Sequence, residues 1–160
     1  MAAANVTSDV GRKIATCLWF EQGSREAAEF WTSLFPDSRI VNVGKIAAGP
    51  GAGNDVVEFE LCGRPFTALD GGPMFKITPA ISLVVNCDSQ EEIDRYWEAL
   101  SDGGREGYCG WLDDRFGVSW QVLPAELGAL MKQSPEEVMK ALLTMTRIDL
   151  AALRRSVGAS

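Results

Sequence analysis

The chain has 160 residues, 46% of them apolar, which suits one compact domain and argues against disorder. Its net charge of −7, with 15 scattered Lys and Arg, argues against a nucleic-acid surface. It contains no histidine, which excludes imidazole proton transfer, a Ser–His–Asp nucleophile and His-dependent metal sites.

The opening, Met1 to Gly11, lacks the charged region and apolar core of a signal peptide, and residues 1–12 are expected to be a flexible segment. No apolar run reaches the length of a membrane span. Lys13 to Phe20 reads as a buried strand. Gly23–Ser24 breaks it, with Ser24 expected to cap a helix from Arg25 to Phe35 that Pro36 stops. Ser38 to Ile46 is β-rich. Gly49 to Gly53 forms a loop by composition, and Asp55 to Leu61 alternates as a strand. Cys62–Gly63 turns it into a hairpin partner, Arg64 to Asp70. Gly71-Gly72-Pro73 closes this first half.

A second half begins near Pro79. Ile81 to Cys87 reads as a strand, and Asp88 with Glu91 as the capping box of a helix running to Ser101. Tyr108 to Leu112 and Val118 to Leu123 read as strands around the loop Asp113 to Gly117. Beyond Pro124 the pattern is helical, with a strong start at Ser134-Pro135-Glu136-Glu137 and a cap at Asp149. This tail has no counterpart in the first half and is expected to pack on the sheet or on a partner chain.

The halves repeat. Ala27, Phe30, Trp31 and Leu34 recur 66 residues later as Ile93, Tyr96, Trp97 and Leu100, each set at amphipathic-helix spacing. The strands before them repeat at the same offset. Two similar strand–helix–strand–strand units, at 13–73 and 79–124 with a helical extension at 125–155, are expected to pack around a shared centre that takes a ligand.

Cys17, Cys62, Cys87 and Cys109 form no C-x-x-C pair, so they read as reduced, small apolar residues in a cytoplasmic protein. The Gly49–Gly53 run precedes a strand rather than a helix, so it is a loop and not a phosphate or methyl-donor cradle. Asp113–Asp114 reads as a solvated turn, and Glu58 and Glu60 as an exposed strand face or the wall of a polar pocket. Trp31 and Trp97 belong in the core. Trp111 and Trp120 flank one hairpin, where they pack in the core or wall a ligand cavity.

Three motifs are distinctive: Cys17-Leu18-Trp19-Phe20, Leu69-Asp70-Gly71-Gly72-Pro73, and the run from Tyr108 to Pro124. Together they resemble the PhnB-like branch of the vicinal oxygen chelate superfamily, the superfamily of glyoxalases, bleomycin-resistance proteins and extradiol dioxygenases. Members of this branch often carry the label 3-demethylubiquinone-9 3-methyltransferase. The resemblance covers Lys13 to Leu153. It implies an α+β fold of two βαβββ modules forming a cup-shaped mixed sheet, plus C-terminal helices, and it implies a homodimer.

In metal-using relatives the ligands come from the first and last strands of each module. Matched through the helix aromatics, the first position falls on Thr16 and its repeat on Ser82; the position after the Asp114–Gly117 turn falls on Gln121, and the remaining one at or near Asp70. They offer one carboxylate and three neutral oxygens, too weak a set for a transition metal. The resemblance therefore implies a small-molecule ligand bound near Thr16, Trp19, Asp70, Ser82, Trp111, Trp120 and Gln121, without metal or other cofactor. An enzyme of the same fold would use Asp70 as general base. The methyltransferase label finds no methyl-donor loop to support it.

Overall fold

The computed structural model describes residues 13–158, so the expected flexible segment at 1–12 lies outside them. The chain divides between Ile77 and Thr78 into two compact units. Each holds one βαβββ module, as the repeat predicts.

The first unit contains β1 (Thr16–Phe20), α1 (Ser24–Leu34), β2 (Arg39–Lys45), β3 (Asp55–Leu61) and β4 (Arg64–Asp70). The sheet order is β1-β4-β3-β2, with β1 parallel to β4 and the rest antiparallel. Alternation decides which residues meet the helix. Leu18, Phe20, Val57, Phe59, Leu61, Phe66 and Ala68 are buried on the side that packs on α1, whose Ala27, Ala28 and Trp31 are buried too. The aromatic rings form a chain: Phe20 to Trp31 at 6.2 Å, Trp31 to Phe59 at 5.9 Å, Phe59 to Phe66 at 5.4 Å. Cys62 and Gly63, with φ of 48° and 68°, make the two-residue β3–β4 turn in the left-handed conformations such hairpins favour.

The second unit repeats the plan with β5 (Leu83–Cys87), α2 (Gln90–Ser101), β6 (Arg105–Glu106), β7 (Trp111–Asp113) and β8 (Ser119–Pro124), ordered β5-β8-β7-β6. β6 is only two residues long, which is why its sequence signal is faint. Leu112, Trp120 and Val122 are buried on the α2 side, with Ile93, Tyr96, Trp97 and Leu100.

Three helices follow: α3 (Leu127–Gln133), α4 (Pro135–Leu142) and α5 (Leu150–Val157). The tail is tied to α2 and the turn before β7 within its own unit. Cys109 and Gly110 donate their N–H groups to the carbonyls of Met145 and Thr146. Gln90 donates to the Ile148 carbonyl at 3.0 Å and accepts from the Leu150 N–H at 2.8 Å.

Helix starts differ from the sequence reading in three places. At α4, Ser134 takes the N-cap position but its side chain accepts no N–H, and its hydroxyl donates to the Val157 carbonyl at 3.4 Å instead. Gly23, not Ser24, is the N-cap of α1, and Ser24 has no side-chain cap role; its N–H donates to Asp70 Oδ1 at 2.8 Å instead. In α2 the cap is Ser89, which accepts from the Glu92 N–H at 3.2 Å, while Glu92 accepts from the Asp88 N–H at 2.9 Å. The box is real but sits one residue later. At α5 the Asp149 cap is as expected, accepting from the Ala152 N–H at 2.8 Å. Among the described residues no helix is long and apolar enough to cross a membrane.

Candidate functional site

Each sheet has one face packed on its helix and one turned away from it. A ligand on the sheet would be met by side chains of the second kind, so register decides which candidates qualify.

In the second sheet two of them do. Gln121 pairs with Val84 across β5–β8 and with Trp111 across β7–β8. Because paired residues point the same way, these three share the face opposite the buried Trp120 and Val122. Ser82 lies on that face as well, and the Gln121 carboxamide donates to Ser82 Oγ at 2.8 Å. Asp113 and Ser119 form the neighbouring row. Ser119 Oγ donates to Asp113 Oδ1 at 2.6 Å, and Arg105 is ion-paired to the same carboxylate. Partial burial pushes the Asp113 carboxyl up, but the Ser119 and Arg105 partners outweigh it and hold the group below its ordinary 3.8.

Trp120 is not beside Trp111. It pairs with Leu112, faces α2 and is 3% exposed, with its indole N–H donating to Asp114 Oδ2 at 2.9 Å. A cavity-wall role for Trp120 is therefore replaced by a core role. Asp114 also departs from the solvated-turn reading. It is buried, and its Oδ1 accepts the N–H groups of Phe116 and Val118, both at 2.9 Å, which closes the turn leading into β8.

In the first sheet the two matched positions fall on the other face. Thr16 pairs with Phe66 and Asp70 with Phe20, in step with Leu18 and Ala68 against α1. The four-residue offset between them is about 13 Å of strand. Asp70 Oδ1 holds the first turn of α1, so this carboxylate acts as a remote cap. The face turned away from α1 carries Cys17, Trp19, Thr67 and Leu69 instead, with Glu58, which pairs with Thr67 and Asn42. Glu60 is half-buried and ion-paired to Arg39 at 2.8 Å.

Trp19 is held firmly there. Its indole N–H donates to the Gly72 carbonyl at 2.9 Å and its ring meets Phe75 edge-on at 5.0 Å. A Cβ at Gly71 would lie 2.2 Å from the indole, so only glycine fits beneath it. This accounts for the Gly-Gly in the Leu69–Pro73 motif. Burial pushes the Cys17 thiol up, and it pushes Cys87, on the α2 side of β5, up to about 12.

For Thr16 the difference in face comes from a single residue. β1 and β5 start at Thr16 and Leu83, while α1 and α2 start at Ser24 and Gln90. The strands thus repeat one position later than the helices. Cys17 pairs with Thr67 as Val84 pairs with Gln121, so the first-sheet counterparts of Ser82 and Gln121 are Ala15 and Thr67. Neither bears a charge.

This bears on the metal that the superfamily resemblance raises. Neutral hydroxyl and carboxamide oxygens, with an alanine methyl, are poor donors for a divalent transition ion. Among the described residues no three His, Cys, Asp or Glu side chains cluster so as to hold one. The residues do not fit such a centre.

Paired βαβββ modules, each with a parallel first and last strand, define a protein of the vicinal oxygen chelate superfamily, α+β in class. More narrowly, residues 12–123 match the family described as 3-demethylubiquinone-9 3-methyltransferase, and the chain belongs to that family. It is similar to a putative 3-demethylubiquinone-9 3-methyltransferase, PhnB protein, from Bacillus cereus: 38% identity over 70% of this chain and 99% of that one, with a TM-score of 0.63. The fosfomycin resistance protein FosX from Listeria monocytogenes shares the fold at 13% identity, over 74% and 95% of the two chains, with a TM-score of 0.55. Glyoxalase I from Leishmania major does so at 10% identity, over 81% and 96%, with a TM-score of 0.50. No curated protein matches the chain.

Proposed function

We propose that the protein is a metal-free small-molecule binder whose ligand lies on a sheet face turned away from the helix packed behind that sheet. The observation that carries this reading is the donor set on each face taken by itself: Ser82 and Gln121 beside Trp111 in the second sheet, and Ala15 and Thr67 beside Trp19 in the first. Such a face suits apolar burial with a few placed hydrogen bonds and suits a cation poorly. Two measurements test it. Elemental analysis of the purified protein should find less than a tenth of an equivalent of any transition metal, and a stoichiometric metal would overturn the reading. A fragment screen by protein-observed NMR should perturb Trp19, Thr67, Trp111 or Gln121, and hits confined to the helices would also overturn it.

The methyl-transfer activity in the family description gains no support from this chain. Gly49 to Gly53 closes the β2–β3 hairpin, where Gly53 donates to the Ile46 carbonyl at 2.9 Å, and does not lead into a helix. Calorimetry with S-adenosylmethionine should give no binding heat. The proposal includes a homodimer in the cytoplasm. Light scattering should read twice 17.3 kDa. All four cysteines are free thiols, which accords with a reducing compartment.

A further inference from the structure

We infer that the second sheet, on the face turned away from α2, takes an uncharged planar ligand and rejects carboxylates and phosphonates. The inference rests on the binder reading above and adds the chemical class of the ligand.

The argument is a charge inventory. Across β5, β8 and β7 the face presents Ser82, Val84, Asn86, Gln121, Leu123 and Trp111, while Ser119 in the same set is 1% exposed and bonded to Asp113. The charged members of the neighbouring row are Asp113 and Arg105, and they neutralise each other; both Nε and Nη2 of Arg105 reach Asp113 Oδ2. An anion settling on Gln121 would give up part of its hydration without gaining a free counter-charge, which makes its binding weaker than that of a neutral group. A neutral group meets different conditions. The Gln121 carboxamide spends one N–H on Ser82, and its carbonyl oxygen and second N–H complement a partner that both donates and accepts, such as an amide or a phenol. Trp111 stands directly opposite Gln121 and is half-buried, so it offers an aromatic surface to the body of a ligand held by that amide. Val84, on the other side of Gln121, is 50% exposed, so the row is open to solvent.

The test uses nitrogen-15-labelled full-length protein titrated with benzamide, benzoate and phenylphosphonate, read at the Trp111 indole N–H and the Gln121 side-chain amide. Benzamide should shift both resonances to saturation, and the two anions should bind at least tenfold more weakly. Trp111→Ala should weaken benzamide at least tenfold. Val84→Lys places a cation on an exposed site in the same row and should bring benzoate and phenylphosphonate up to or above benzamide. Two results overturn the inference: either anion binding the unmodified protein as tightly as benzamide, or benzamide leaving both resonances unmoved. If benzamide shifts Trp19 and Thr67 instead, the inference fails and the binder reading stands. If no probe shifts any resonance, the inference fails and the binder reading is decided by the broader screen.

Discussion

Asp114 is the residue on which the second module's last hairpin depends. Its carboxylate satisfies two backbone N–H groups and the Trp120 indole in a site with almost no solvent. Asp114→Ala removes the acceptor of these three hydrogen bonds and should cost about 3 kcal/mol or more in chemical denaturation. Its neighbour Asp113 is half-buried and is held by Ser119 and Arg105 rather than by backbone N–H groups. A carboxyl held below its ordinary value in the fold adds stability above the unfolded pKa and loses it as pH falls through the folded one. Acid unfolding below about pH 4 should therefore be flatter in Asp113→Asn than in the unmodified protein. Ser24 gives the sharpest single-residue test. Among the described residues its buried Oγ has no hydrogen-bond partner. Ser24→Ala should leave the protein as stable or up to about 1 kcal/mol more stable, whereas a capping serine would lose about 1 kcal/mol.

At the scale of elements, the start of α1 is organised from across the module. Gly23 contributes its left-handed conformation, with φ of 92°, and Asp70 at the end of β4 reaches the first turn. Asp70→Ala should lower the unfolding free energy by about 1 kcal/mol, read as a lower denaturation midpoint at unchanged slope. A role as catalytic base would instead show no stability change. Most elements were legible in the sequence. The alternation of Val57, Phe59 and Leu61, the helical spacing around Trp31 and Trp97, and the Cys62–Gly63 turn each carry a local signal that the fold obeys. β6 was not, because two residues cannot show a period. The candidate site was half legible. Gln121 and Ser82 fell on the face turned away from α2, while Thr16 and Asp70 fell on the side packed on α1. The helix pattern fixes helix positions and carries no information about the length of the turn before it. Nor could spacing show that Trp120 points inward, since Trp111 and Trp120 are both hydrophobic and nine residues apart.

For the whole molecule, the family name and the chain's own chemistry pull apart. Each unit holds one βαβββ module, and the matched positions carry alanine, hydroxyl and carboxamide groups. Family membership therefore fixes the scaffold and leaves the reaction open, since scaffolds host many chemistries. The extra residue between β1 and α1 also means that the two halves are not interchangeable parts. A chimaera carrying the shorter Asp88–Ser89 connection in place of Glu21–Gly23 would rotate α1 by about 100° against a sheet whose inward side chains are already fixed. Trp31 would leave the aromatic column, and the duplication could not be restored to symmetry without rebuilding that column.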